Sequence, residues 1–454
     1  MNHNKKTIKH QQQISLNHLK NSSSNFIEKH ISEINIQESI DSTVPACRNR
    51  LYNPLKTISM FVSQAIKEDS SCQNIVNEVA VRSKRKRSIS TSAYCKARSR
   101  LPEKVLSSLS KEVAIRNEEK VKKDWKFRNK NIYLVDGTTL IMPDTKANQK
   151  DYPQLNCQKE GLGFPICRIV AIISLHTGCV IDANIGAFSG KGAGEQGLLR
   201  PMLGNFKKGD IILADAFYST YTLLSYAIEK GIDIVFVQNG ARSRTTDFTK
   251  GEVLGENDHI ITIKRPKETP DWMSEAEAED RPKEIKIREI RIGGKVLITT
   301  MMCPKNNTAI MIQNLYKERW HIEVDFRNIK VTMGLDSFKC KTPEMVKKEM
   351  WVYFLAYNIL RTLMLKSALY NKLKPRQISF KHCLQIYVKY LESCHLISYS
   401  KILKLIGEKV IGNRAGRIEP RAIKRRYNGF SLLMKPRNIL RAEIKRNGHP
   451  KKRK

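Results

Sequence analysis

Between Asn131 and Gln238 the chain alternates short apolar runs with helical segments, and this order constrains the fold more than any other feature. NIYLVDGTTLIM reads as a strand ending in an acidic residue, and ICRIVAIISLHTGCVIDANIGAF as two long strands joined at His176-Thr177-Gly178. GAGEQGLLRPML suggests a helix, GDIILADAFYST a buried strand ending at Asp215, TYTLLSYAIEKG a helix closed by Gly231, and IDIVFVQ another strand. Strand, hairpin strands, helix, strand, helix, strand is a mixed α/β order. It predicts a central five-stranded sheet flanked by helices.

The flanking sequence divides around this α/β core. Residues 1–45 are rich in Asn, Gln, Ser and Lys and predict a mobile arm. Residues 46–125 carry helical apolar spacing and predict a small all-helical region. Its most basic stretch, Arg82–Arg100, interleaves Lys84, Arg85, Lys86, Arg87, Lys96, Arg98 and Arg100 with Ser and Tyr94, which suits a DNA reader and equally a solvated basic surface. The core is expected over 126–385. Within it, residues 239–295 are polar and turn-rich, and the alternation in HIITIK and EIKIREIRI predicts an inserted β-rich subdomain. KVLITTMM then returns to the core, and EMWVYFLAYNILRTLMLKSAL predicts a buried core helix, too short for a membrane span. Residues 386–454 are expected to be a helical region with a basic tail.

Charge narrows the partner. With 81 Lys+Arg against 44 Asp+Glu, the 454-residue chain has a formal net charge of +37. A field of that sign draws in polyanions, nucleic acid first, and disfavours a neutral small-molecule substrate. The ten cysteines form no C-x-x-C pair, which argues against a zinc ribbon and against a secreted disulfide framework. The N-terminus lacks the apolar core of a signal peptide, so a soluble, cytoplasmic, nucleoid-associated protein without membrane contact is expected.

The chemistry gathers at Leu315–Met333, LYKERWHIEVDFRNIKVTM, which reads as one helix. At about 100° per residue, Tyr316, Arg319, Glu323 and Lys330 share an arc of about 60°, beside an apolar stripe of Leu315, Ile322, Phe326, Ile329 and Met333. Asp136 at the end of the first strand, Asp215 at the end of a neighbouring one and Glu323 on a helix beside them offer carboxylate oxygens, the ligands Mg2+ and Mn2+ prefer. Two such ions about 3.5–4 Å apart can activate an attacking oxygen and stabilise a leaving one in phosphoryl transfer. Arg319 and Lys330 would hold non-reacting phosphates, and Tyr316 could bond a phosphate or stack on a base. An Asp at a strand end is also a common turn or helix cap.

These residues resemble the DDE transposases of the bacterial insertion-sequence 4 family, whose catalytic core has a ribonuclease-H-like fold. The family's Tyr, two residues, Arg, three residues, Glu, six residues, Lys signature is met by Tyr316, Arg319, Glu323 and Lys330, and its two acidic motifs by VDGTTLIMPDT and LADAFYST. The resemblance spans about Cys47 to Arg437. It implies that Asp136, Asp215 and Glu323 bind two catalytic divalent metals, and that Tyr316, Arg319 and Lys330 position phosphates of the transposon end. It implies cut-and-paste transposition by a homodimer bridged by double-stranded DNA, acting on transposon ends and target. Two departures stand out: Ala216 follows the second Asp where Arg or another polar residue is common, and Lys295–Met302 lacks the Trp that holds a flipped base in relatives, with Trp272 lying further upstream. A ribonuclease-H-like nuclease, and a catalytically silent DNA-binding protein derived from a transposase, remain alternatives. An RNA-binding protein would explain the charge but not the spaced carboxylates.

Overall fold

The computed structural model describes residues 51–83, 87–190, 192–269, 273–392, 397–411 and 435–448. The arm at 1–45, Lys84, Arg85, Lys86, Trp272 and much of the basic tail lie outside the described residues.

Strands β1 (Ile132–Ile141), β2 (Ile166–Ser174), β3 (Val180–Ala187), β4 (Ile211–Ala214), β5 (Asp233–Val237), β6 (Glu252–Gly255), β7 (Asp258–Lys264), β8 (Glu284–Ile292) and β9 (Lys295–Thr299) form one sheet of order β3-β2-β1-β4-β5-β9-β8-β7-β6. β1, β4 and β5 run parallel, and the remaining pairs are antiparallel. The sheet does not stop at the five strands that the sequence order predicts. A free β5 edge would leave a row of backbone groups unpaired; β9 takes that edge, and β8, β7 and β6 extend it. The segment read as a separate insertion therefore continues the core sheet.

Alternation along the strands gives two apolar faces. Leu134, Leu213 and Val235 face the larger core, which also takes residues of α1 (Pro54–Ile66) and α4 (Glu103–Glu119). Tyr133, Val135, Ile212, Ala214, Ile234 and Phe236 face a second core built with α5 (Glu195–Leu199) and α6 (Tyr221–Lys230). Helices α2 (Cys72–Arg82) and α3 (Ser92–Arg100) lie between α1 and α4 in the chain. Two members of the basic stretch point inward. Tyr94 is fully buried, donating its hydroxyl to Gln64, and Arg98 is buried over the Phe61 ring with a hydrogen bond to Cys72.

The segment read as one helix is helical throughout but changes winding. α7 (Ala309–Lys317) passes through a 3-10 turn at Glu318–Trp320 into α8 (His321–Arg327) and then a π turn at Asn328–Thr332. Behind it runs α9 (Pro343–Asn371), capped by Thr342 with Pro343 at its first position and buried on most of its surface. Among the described residues no helix is long and apolar enough to cross a membrane.

One buried charge cluster joins the two helices. Asp325, with no exposed surface, accepts hydrogen bonds from Tyr357 Oη at 2.9 Å, from Arg361, and from Arg376 Nη1 at 2.7 and 2.8 Å. Tyr357 and Arg361 belong to α9, so α8 is anchored to it two residues after Glu323. Asp325→Ala strands the buried Arg361 and the half-buried Arg376 and should cost about 3–5 kcal/mol of stability, read as a shift in urea unfolding. A loss below about 1 kcal/mol would show that the cluster does not carry the anchor.

Candidate active site

The strand acids are aligned by register. β1 and β4 pair as Ile132↔Ile211, Tyr133↔Ile212 and Leu134↔Leu213. Asp136 and Asp215 each lie two residues beyond the last pair, so the pleat turns both towards the face of Leu134 and Leu213. Asp215 follows the last residue of β4, as expected, and its Oδ1 accepts the Phe217 N–H at 2.8 Å, capping the turn Ala216–Tyr218. Asp136 is not at a strand end. β2 pairs with β1 through Ile141, with Asp136 opposite Ala171, and it is the β4 partner that stops.

The helix supplies the facing groups. Arg319 bridges two acids, its Nη1 donating to Asp136 Oδ2 at 3.1 Å and its Nη2 to Glu323 Oε1 at 2.7 Å. Arg319 is largely enclosed, whereas the Glu323 side chain is 37% exposed. Lys330 Nζ donates to Thr138 Oγ1 at 3.1 Å and the Thr139 carbonyl at 3.0 Å, meeting β1 just past Asp136. Tyr316 is buried beside Arg319, with the Lys295 ammonium 5.6 Å from its ring centroid. The structure therefore turns Arg319 and Lys330 towards β1, with Glu323 and Tyr316 beside Arg319.

Burial sets the protonation of the site. The Asp136 carboxyl is pushed up to about 6, chiefly by desolvation; the Gly137 N–H and Arg319 oppose this, while the charges of Asp215 and Glu195 add to it. Desolvation likewise raises the Tyr316 phenol and lowers the Lys330 ammonium. Glu195 was not singled out in the sequence. Its position at the start of α5 is one where any acid favours a helix N-terminus, so the sequence carries little signal for it.

The donors around Asp136 are carboxylate oxygens, the chemistry that suits Mg2+ or Mn2+ rather than zinc. As arranged, no three His, Cys, Asp or Glu side chains among the described residues group closely enough to hold one ion. The Arg319 guanidinium instead joins Asp136 to Glu323.

A mixed sheet with acids on adjacent parallel strands and an acid-bearing helix packed on one face is consistent with a ribonuclease-H-like transposase. Residues 128–359, just over half of the chain, match the family described as Transposase DDE domain, and the chain belongs to that family. It is an enzyme, a DDE transposase of the insertion-sequence 4 type, a class that depends on divalent metal. Transposase InsG for insertion sequence element IS4, from Escherichia coli (strain K12), is 26% identical over 314 residues, covering 65% of this chain and 68% of that protein.

The raised Asp136 value has a signed consequence. Above about 6 the fold must hold an ionised carboxylate that burial disfavours, and this cost disappears as pH falls below the ordinary carboxylate range. Asp136→Asn removes the cost while Arg319 keeps Glu323. The variant should therefore gain stability relative to wild type as pH rises from about 4 to about 6, by up to about 2–3 kcal/mol, and hold that gain at higher pH. Metal-free thermal melting of both proteins checks this; a difference independent of pH would contradict it.

Proposed function

We propose that this chain catalyses cut-and-paste transposition of an insertion sequence, binding the terminal inverted repeats of its element and joining the freed end to target DNA. The observation that carries this reading is the Asp136–Asp215 alignment facing a helix on which Arg319 already contacts two of the three acids. Asp136, Asp215 and Glu323 would hold the metals. Bound there, two Mg2+ or Mn2+ ions would activate the attacking oxygen, first of water and then of the 3′ hydroxyl, and stabilise the leaving oxygen.

The remaining roles belong to side chains. Arg319 presents a planar fork that suits a phosphate as well as it suits the carboxylates it now bridges, so it would transfer to DNA on binding. Lys330, partly desolvated against β1, would contribute a point charge to a terminal phosphate. Tyr316 would donate its hydroxyl beside Arg319. The basic helices of residues 46–125 would read the element's ends, residues 126–385 would form the catalytic domain, and two copies bridged by DNA would form the working complex in the nucleoid. The chain's net charge of +37 supports a DNA partner of this size.

The test incubates purified protein with a labelled fragment carrying the native element end and a supercoiled target, with and without Mg2+. Metal-dependent 3′-end nicking followed by joined products is expected. Nicking without joining would identify a nuclease, and tight binding without nicking in Mg2+ or Mn2+ a catalytically silent DNA-binding protein. In the same assay Glu323→Gln should abolish cleavage while end binding stays within about twofold, since only a metal ligand is removed; equal loss of binding would make Glu323 structural. Lys330→Ala should weaken end binding and reduce its salt slope by about one unit.

A further inference from the structure

The helical region before the sheet encloses a cation whose partners are mostly sulfur. Arg98 on α3 is 6% exposed, and among the described residues its guanidinium pairs with no carboxylate. Its Nη1 donates to Cys72 Sγ at 2.8 Å, its Nη2 reaches Cys340 Sγ at 3.5 Å, and the Gln64 Oε1 lies 3.5 Å from Nη1, with the Phe61 ring stacked on the fork. The charge of Glu349 reaches Arg98, but that carboxylate accepts the Lys339 and Cys340 N–H groups. A buried guanidinium is costly without a facing acceptor, and Cys72 is the one it approaches most closely.

Two thiols meet at this point. Cys72 is half-buried and is the first residue of α2, and the Gln64 amide lies 3.8 Å from the same sulfur. Reactive cysteines occupy partly exposed, electropositive surroundings of this kind. Cys95 lies in the first turn of α3, three residues before Arg98 and so on the same side of that helix. Its thiol is exposed and in hydrogen-bonding contact with the Cys72 sulfur. Desolvation, and after it the neighbouring Cys72, hold the Cys95 thiol above its ordinary value. Cys340, on the other nitrogen of Arg98, is the poorer partner, because burial and the Glu349 charge push its thiol far up.

We propose that Cys72 and Cys95 are a redox-modification site, closing into a reversible disulfide when the protein meets hydrogen peroxide. The Cys72 sulfur attacks one peroxide oxygen; the O–O bond breaks, and water leaves with the Cys72 proton. The Cys95 sulfur then attacks the resulting sulfenic acid; the S–O bond breaks, and a second water leaves with the Cys95 proton. Two thiols are oxidised to one disulfide, and one peroxide is reduced to two waters. The bond ties α2 to α3 and encloses the Lys84–Arg87 run in a covalent loop. Any effect on DNA rests on the reading of this region as the end-binding module, whereas the bond itself does not.

The test treats the reduced full chain with a small excess of hydrogen peroxide, blocks the remaining thiols at intervals and maps unreduced peptides by mass spectrometry. A Cys72–Cys95 linked peptide is expected to appear at least about tenfold faster than oxidation of the exposed Cys157 and Cys303, and to vanish with dithiothreitol. In Cys95→Ser the link is lost and dimedone should trap Cys72 as its sulfenic acid. In Cys72→Ser, Cys95 should react no faster than Cys157. Cys72 linked to Cys340 instead, or Cys157 and Cys303 oxidised while Cys72 and Cys95 stay free, would overturn the proposal. The wild-type map decides between these outcomes without any variant, so a substitution that unfolds the helical region leaves the test intact.

Discussion

β4 stops after four residues while its parallel neighbour β1 runs for ten, and the site depends on that inequality. As long as the strands pair, their residues are sealed in the sheet; where β4 ends, one edge of β1 loses its strand partner until Ile141 bridges Ser337. Asp136 and Asp215 fall at this point by register, two residues past the same pair. Each takes a nearby backbone N–H, of Gly137 and Phe217 respectively, which helps satisfy the donors exposed where pairing ends. Arg319 approaches from one layer of helices and Glu195 from the other.

The helix facing that gap is held from behind. Glu323 and Asp325 are two residues apart and have opposite fates: one is partly open beside Arg319, the other fully enclosed among Tyr357, Arg361 and Arg376. A functional carboxylate is best held when its supporting contacts lie on rigid elements, and α9 is a 29-residue helix buried along most of its length. The 3-10 and π turns on either side of α8 alter the spacing of Arg319 and Lys330 relative to an ideal helix. Both still reach β1, at Asp136 and at Thr138.

Periodicity made much of this legible. Strand alternation and helix spacing are local signals, so β1 to β5 and the helix bearing Glu323 could be read directly. What depended on distant partners could not. The pairing of β5 with β9 joins segments some sixty residues apart, and without it the sheet reads as five strands. Asp136 looks like a strand end in VDGTTLIM because nothing local reveals that β2 continues to pair as far as Ile141. Tyr94 and Arg98 belong to a basic stretch by composition, but packing against Phe61 and Gln64 turns them inward. Glu195 is visible only once α5 has packed through Leu198 and brought its first turn over Gly137.

Arg319 ties the site's resting charge to its ligand. In the structure one guanidinium bridges Asp136 and Glu323, so the two acids share a single cation that the chain itself provides. Thermodynamic reciprocity then couples two events without any large rearrangement: an anion that draws Arg319 away raises the site's appetite for cations, and a cation seated on those acids frees Arg319 for an anion by the same factor. On the proposed assignment of these acids as metal ligands, a chain whose overall field attracts polyanions would keep its cutting centre muted until a phosphate reached one particular side chain.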